Sequence, residues 1–545
     1  MLHGEVGIAN WGFDNCGLGE CQACTTKGWG RLDGGRGGWF NAGMNQAEQA
    51  YRELIVQLKE VALFGSVGSL LGWDERVQMP AKGAEHRANQ NSLLARKVHE
   101  QFTSPRIGEL LGTVENSEIA AEGERGANIR ETRRQYDRAT RLPATLVEEM
   151  ARTEVLAQQV WAKAREKNDF AAFAPWLDKW VVLKEQQATC YGYSGHIYNA
   201  LLEDFEPGET AENLTQVFEN LRGPLVELIG KITSSGRKAP LEILERNYPA
   251  GAQAKLAREA AEAVGFDFQA GRLDISTHPF CSGIGPGDTR MTTRYDEKYF
   301  GDAFFGVLHE TGHGLYDQGL PAEHFGTPLG EAISLGIHES QSRMWENLVG
   351  RSRAFWKFFM PRARALFPEQ LKDVSEDQWY FAVNDVRPSL IRTESDEATY
   401  NLHILLRFEL EKALLTADLK VADLPGAWNE KMKKYLGVDV PDNTRGVLQD
   451  IHWSGGAMGY FPTYTLGNLY AAQFFEQAKK DLGDLDGQIG RGEFGPLLGW
   501  LRTNIHSRGK RYRAGELVEK VTGKALSAEP LLRHLRGKAA ELYGV

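Results

Sequence analysis

Cysteine is nearly missing from this sequence: there are five in 545 residues, and only Cys190 and Cys281 lie beyond position 24. So small and odd a set excludes a disulfide scaffold. Proline is sparse at 20 residues, and no Pro- or Ser-rich stretch marks a linker between domains. No run of about 18 apolar residues offers a membrane span. No charged start followed by an apolar segment reads as a secretion signal. Long basic blocks are missing too, since 63 Lys and Arg face 73 Asp and Glu for a net charge of −10. An acidic chain of that kind is poorly suited to nucleic acid or to an anionic lipid surface. The expectation left by these exclusions is a soluble protein of a reducing compartment, the cytoplasm.

What is present is ordinary globular composition, 42% apolar, 10% aromatic and 25% charged. The first 43 residues differ, holding 12 of the 59 glycines and three cysteines, Cys16, Cys21 and Cys24, without helical periodicity. Such a segment cannot bury enough apolar surface to offset its ordering entropy and reads as a disordered tail or a spurious extension ahead of Met44. Cys21 and Cys24 have the C-x-x-C spacing, but no second ligand pair follows at a suitable distance. From 44 to 545 the text reads as one catalytic domain.

That domain is mostly helical. Apolar residues recur every three or four positions over Tyr51 to Leu63, Ile119 to Leu142, Leu146 to Ala164, Leu214 to Ile232 and Tyr400 to Leu415. Turn signals stand at Met79-Pro80, Pro207-Gly208 and Gly236. Strand-like text is confined to Arg290 to Tyr295, with Leu273 to Thr277 as its partner and the Gly-rich CSGIGPGD as the connecting loop. The expected architecture is a single large α-helical body with a small β-sheet beside a metal-binding helix and a deep substrate cleft.

The chemistry resides in His309-Glu310-Thr311-Gly312-His313, an H-E-x-x-H pattern. Asp302 is a candidate N-cap and Gly319 a candidate C′ residue, and Phe304, Phe305, Leu308, Leu315 and Tyr316 form an apolar stripe between them. On a helix, residues four apart share a face, so both imidazoles can reach one zinc ion. Glu310 then projects beside them, placed to take a proton from metal-activated water. A zinc site needs a third protein ligand and an open position. The metzincin arrangement is excluded, because Tyr316 and Gly319 stand where its glycine and third histidine belong. The following helix, expected over Glu331 to Val349, offers Glu331, His338, Glu339 and Glu346. Spacing alone leaves both Glu331 and Glu339 open.

Six short motifs occur in a telling order: HPF at His278 to Phe280, DTRMT at Asp288 to Thr292, HETGH, HESQ at His338 to Gln341, IRTESD at Ile391 to Asp396, and GVLQDIHW at Gly446 to Trp453. From about Tyr51 to the C-terminus the chain resembles the carboxypeptidase Taq family of zinc metallocarboxypeptidases. Ser395 departs from the family's alanine. The resemblance implies Glu339 as the third ligand beside His309 and His313, zinc with cobalt as a tolerated substitute, peptides with a free C-terminus as substrates, and a homodimer. It also implies that a tyrosine in SGGAMGYFPTYTLGN assists catalysis, Tyr464 ahead of Tyr460.

A carboxypeptidase must hold a free α-carboxylate, a task suited to a guanidinium making two parallel hydrogen bonds. Motif membership makes Arg392 and Arg290 the expected anchors, with Arg445 behind them. His278 joins them as a substrate-binding residue and His452 joins Glu310 and Tyr464 as a catalytic one. Trp73 is expected to pack in the core with its N–H satisfied. The competing readings are a zinc endopeptidase or oligopeptidase on the same site, and a binding protein that has lost the metal.

Overall fold

The computed structural model describes residues 45–121 and 123–545. The expected tail over 1–43, the alternative start at Met44 and the Cys21/Cys24 pair lie outside the described residues.

Asn45 opens the first helix, α1 (Gln46–Val77), its side-chain oxygen accepting the Glu48 N–H at 2.9 Å. That bond satisfies one of the donors a helix start leaves without a partner. The chain turns at Met79-Pro80 into α2 (Ala84–Phe102), then runs through α3 (Pro105–Val114) and α4 (Gly123–Arg141). Leu54, Leu58, Ile107, Leu111 and Ile129 belong to a small core of their own. Apolar residues from Leu146 to Tyr543 share one much larger core. The other periodic segments of the sequence fall inside the helices Ala144–Lys167, Ala211–Ser234 and Thr399–Leu415. Among the described residues the protein is mostly α with one small sheet.

α1 corrects two expectations. Among the described residues it is one helix long and apolar enough to cross a membrane by length and composition, with a window of mean hydropathy 1.5 that is 17% buried. Gly65, Ser66, Gly68, Ser69 and Gly72 break its apolar text, so a search for an unbroken run passes over it. The second correction concerns Trp73, whose indole N–H has no hydrogen-bond partner among the described residues. What holds the ring is charge: the Arg272 and Arg290 guanidiniums lie 4.9 and 4.3 Å from its centroid. Earlier on α1, Lys59 Nζ donates to the Glu323 carbonyl at 3.1 Å.

The sheet has three strands, β1 (Gly271–Ile275), β2 (Cys281–Gly285) and β3 (Asp288–Thr293), in the order β1-β3-β2. β1 runs parallel to β3 and β2 antiparallel to it. CSGIG is therefore a strand and not a loop. Gly287, at φ +82°, supplies the tight turn that closes the hairpin. Gly283 serves close approach, because a Cβ there would stand 2.9 Å from Asp317 Oδ2.

The motif helix spans Phe300–Asp317 and is apolar nearly all round, as a helix enclosed by protein must be. Tyr299 occupies the N-cap position without a side-chain bond, so Asp302 sits in the first turn, where it complements the helix dipole. Gly319 does follow the helix end but keeps a negative φ. Its role is space: a Cβ would lie 2.4 Å from His506 Nδ1. Phe300 stacks on Phe304 at 5.3 Å and both pack on Trp356, which meets Trp379 at 4.8 Å. This aromatic cluster fixes the first turns of the helix.

Glu411, fully buried on the helix Thr399–Leu415, accepts from Tyr198 Oη (2.7 Å), Trp453 Nε1 (2.8 Å) and Gly459 N (3.1 Å). Burial pushes its carboxyl up to about 7. The folded state thus holds a proton that the unfolded chain releases near 4.5. The stability this contributes is present at pH values below that and is lost as pH rises toward 7, by up to about 3 kcal/mol. Glu411→Gln keeps the neutral form at all pH values. Its melting temperature should therefore drop less than the wild type's between pH 5 and pH 8, and an equal drop in both proteins would rule this out.

Candidate metal centre

The helix that carries Glu339 begins later than its sequence suggests. It spans Leu335–Arg343, with Ser334 Oγ accepting the Ile337 N–H at 3.1 Å as its cap. Buried Glu206 accepts from Ser334 Oγ (2.9 Å), Gly336 N (3.0 Å) and Tyr470 Oη (3.0 Å), which anchors that helix start. Glu331 lies in the preceding loop, paired with Lys510, and is no helix-start carboxylate. The helix continues as a π-helical segment, Met344–Val349, a form often found at functional sites.

Glu339, Arg343 and Glu346 are spaced four and three residues apart and so share one face. That face meets His309 and His313 on the motif helix. Two glycines permit the approach. A Cβ on Gly312 would lie 2.4 Å from the Gln341 carbonyl oxygen, and one on Gly467 would lie 2.5 Å from Glu339 Cγ. Gly467 belongs to the helix Pro462–Leu482, so the Glu339 helix is clamped between two neighbours at backbone distance.

The result is a cluster of His309, His313 and Glu339, all buried, each offering one ligand atom with all three atoms within 4.8 Å of one another. His309 Nε2 and His313 Nε2 stand 3.6 and 3.4 Å from Glu339 Oε2. Ligand atoms on a tetrahedron with bonds of about 2.0–2.1 Å are about 3.3–3.4 Å apart. Two imidazoles and a carboxylate at that separation fit a divalent metal ion. Glu310 is buried on the same helix.

Each histidine is held from behind. His309 Nδ1 meets Glu346 Oε2 at 2.9 Å, and Arg343 Nη1 donates to the same oxygen at 3.2 Å. Arg343 Nε also donates to Glu339 Oε1 at 2.8 Å, so one guanidinium serves both carboxylates. Burial works against charge on Glu346, but Arg343, His309 and Arg351 outweigh it and hold the carboxyl at about 2. On the other side, His313 Nδ1 meets His338 Nδ1 at 2.5 Å, and His338 Nε2 meets Asp317 Oδ1 at 3.1 Å.

The remaining expected residues divide by place. Tyr464 and His452 are buried together, with His452 Nε2 and Tyr464 Oη 3.3 Å apart. Burial, then its neighbour Tyr460, pushes the Tyr464 phenol well up, so it keeps its proton at neutral pH. Burial, then Arg392, pushes the His452 imidazole well down. Arg392 is buried beside them, its guanidinium carbon 5.1 Å from the Tyr464 ring centroid. Its Nε and Nη2 donate to Asp450 Oδ1 and its Nη1 to Tyr400 Oη. Tyr400 in turn carries Arg343 over its ring at 4.4 Å, which links Arg392 to the metal-site carboxylates. Arg290 is not brought into this group. Met291 packs toward Gly314 of the motif helix, so its neighbour Arg290 projects from the opposite face of β3, paired with Asp288. His278 is exposed, and Arg445 is bound to Asp442 at the surface.

Several motif residues turn out to be scaffolding. Gln449 accepts from Arg392 N and Arg407 Nη2, and Asp450 is held far below the carboxylate range, against burial, by Arg392 and Arg407. Asp396 caps the helix Thr399–Leu415 by accepting from Ala398 N and Thr399 N. The hydroxyl of Ser395 donates to the Ile391 carbonyl at 3.0 Å, which accommodates the departure from alanine. Arg343, Tyr400 and Asp317 join the site although no motif marks them. Arg343 and Asp317 had a signal, standing four residues after Glu339 and His313 respectively, whereas nothing local marks Tyr400.

A sequence model of the family described as carboxypeptidase Taq (M32) metallopeptidase matches residues 53–539. The chain belongs to that family. It is 49% identical over 508 residues to thermostable carboxypeptidase 1 of Thermus thermophilus, covering 91% of this chain and 99% of that one. Carboxypeptidase 1 of Bacillus subtilis is 37% identical over 493 residues, 90% of this chain and 98% of its own. Among solved structures, an M32 carboxypeptidase from Deinococcus radiodurans superposes with a TM-score of 0.89 at 41% identity, covering 91% of this chain and all of that one. A Pyrococcus furiosus carboxypeptidase gives 0.87 at 35%, covering 91% and 99%. The protein is a metal-dependent carboxypeptidase, a peptide hydrolase.

Gly312→Ala should push the Glu339 helix off the motif helix and cost metal retention. Metal content after dialysis should fall well below the wild type's while the circular dichroism spectrum stays helical; full retention would show that the close approach is dispensable.

Proposed function

We propose that the protein is a zinc carboxypeptidase that removes one residue at a time from peptides with a free C-terminus. The observation that carries this reading is the convergence of His309 Nε2, His313 Nε2 and Glu339 Oε2 at tetrahedral-edge distances. His309, His313 and Glu339 would hold the ion, and cobalt suits the same donors. When bound, zinc acts as a Lewis acid, lowering the pKa of water and polarising a carbonyl.

The chain's own residues do the rest. Glu310 accepts the proton of the attacking water and passes it to the leaving amine. Tyr464, protonated at neutral pH, donates to the oxygen that gains charge in the transition state, and His452 orients the phenol. Arg392 has five N–H donors, three of them committed to Asp450 and Tyr400, and uses those left to hold the substrate's terminal carboxylate. The fixed partners keep its fork in place, which is the requirement for a bidentate contact. Both cysteines of the described residues, Cys190 and Cys281, are free, which accords with a cytoplasmic setting.

Ladder mass spectrometry of a model peptide should show stepwise loss from the C-terminus that stops with chelator. The matching C-terminal amide should resist, and equal rates on acid and amide would instead favour an endopeptidase. Glu310→Gln should retain the metal and lose about 10²–10⁴-fold in kcat; full activity would remove Glu310 from the mechanism.

We also propose a homodimer paired through α1. Val56, Leu63, Phe64 and Val67 are exposed on it, spaced as one stripe. A self-complementary contact with a second copy would cover such a stripe. Light scattering should report twice the chain mass, and Leu63→Glu with Val67→Glu should halve it. A wild-type monomer would refute the pairing.

A further inference from the structure

We propose that His338 and Asp317 form a positioning relay that fixes the ring of metal ligand His313 and sets how tightly the site holds its ion. The inference rests on the reading of His309, His313 and Glu339 as metal ligands.

The direction of the relay follows from proton bookkeeping. His313 turns Nε2 toward Glu339 Oε2 at 3.4 Å. A ring nitrogen that binds a metal carries no proton, so the neutral imidazole has its proton on Nδ1. That nitrogen faces His338 Nδ1 at 2.5 Å, which must therefore accept. A neutral His338 with an accepting Nδ1 carries its proton on Nε2, and Nε2 faces Asp317 Oδ1 at 3.1 Å. Each link is the donor–acceptor pair the previous one requires, and the chain ends on a carboxylate.

The place is built for this. Asp317 lies four residues beyond His313 on the same helix, while His338 comes from the helix that supplies Glu339. The relay thus crosses from one ligand-bearing helix to the other and returns at the level of the ligands. Gly283 of β2 leaves room for the carboxylate, since a Cβ there would lie 2.9 Å from Asp317 Oδ2. The rings of His313 and His338 are 4.6 Å apart and tilted by 35°, so His338 also buttresses His313 by contact.

The two histidine ligands are consequently oriented by different means. His309 meets a carboxylate directly, at Glu346. His313 Nδ1 meets the His338 imidazole, which in turn meets the Asp317 carboxylate. Partners that orient a metal-binding histidine typically change affinity 10–100-fold when removed.

The test separates orientation by hydrogen bonds from packing. His338→Phe keeps a ring against His313 and loses both nitrogens. His338→Gln offers an amide oxygen to accept and an amide N–H to donate. Zinc dissociation constants would be measured by chelator competition on the full chain, with the circular dichroism of the metal-free forms as the fold control. The Phe variant should bind zinc 10–100-fold more weakly and the Gln variant within a few-fold of wild type. Should the Phe variant fail to fold, Asp317→Ala leaves both rings in place, and it should weaken binding at least threefold. Wild-type affinity in a folded Phe variant, or in Asp317→Ala, overturns the relay. His313→Ala tests the underlying site separately: undiminished zinc binding there would mean that His313 is no ligand.

Discussion

The metal centre depends on how closely one helix can approach two others. The Glu339 helix lies between the motif helix and the helix Pro462–Leu482, and Gly312 and Gly467 are the points of nearest passage. A methyl group at either would overlap a carbonyl oxygen or the Glu339 side chain itself. Helix pairs with ordinary side chains at the contact stand about 8–10 Å apart. A carboxylate needs to come within bonding range of two imidazoles on the neighbouring helix, so small residues at the crossing decide whether the third ligand arrives.

Close packing forces the next problem, which is charge without water. Ions in a protein interior lose several kcal/mol of solvation unless partners replace it. The protein answers by sharing. Arg343 serves Glu339 and Glu346, and Asp450 serves Arg392 and Arg407. Tyr400 connects the two groups, accepting from Arg392 while Arg343 lies over its ring. The metal-site carboxylates and the guanidinium proposed to hold the substrate's end are therefore parts of one buried network. A change at Asp450 or Tyr400 would be felt at both ends. The buried Glu206 and Glu411 do a different job, tying the start of the Glu339 helix and the Trp453–Gly459 segment to the core.

Much of this was legible in the sequence. The motif helix, the mostly helical body and the β1–β3 pairing follow from spacing and composition, and the ordered short motifs pointed to the family that the comparisons then established. Sequence and structure part where a residue type has two uses. The glycines of CSGIG read as a loop yet lie in a strand, where Gly283 makes room for Asp317 at the end of the motif helix. Glu331 read as helical and was helix-adjacent only. The Trp73 N–H, expected to be satisfied, has no partner among the described residues, and two guanidiniums hold the ring instead. Arg290 and Arg392 looked alike as motif arginines, yet strand alternation sends one to the outer face and burial keeps the other near Tyr464.

What the sequence alone determined is local. Two histidines four apart on an apolar helix must share a face, and Arg343 and Glu346 must follow Glu339 on its own, because the helical repeat leaves no choice. The choice between Glu331 and Glu339 was different in kind. Both are carboxylates within reach of the motif along the chain, and only the meeting of helices distant in sequence separates them. That meeting is set by Gly312 and Gly467, 155 positions apart. The tertiary structure decided which carboxylate reaches the two imidazoles, because steric exclusion at a crossing acts through space, and neither chain distance nor residue type records it.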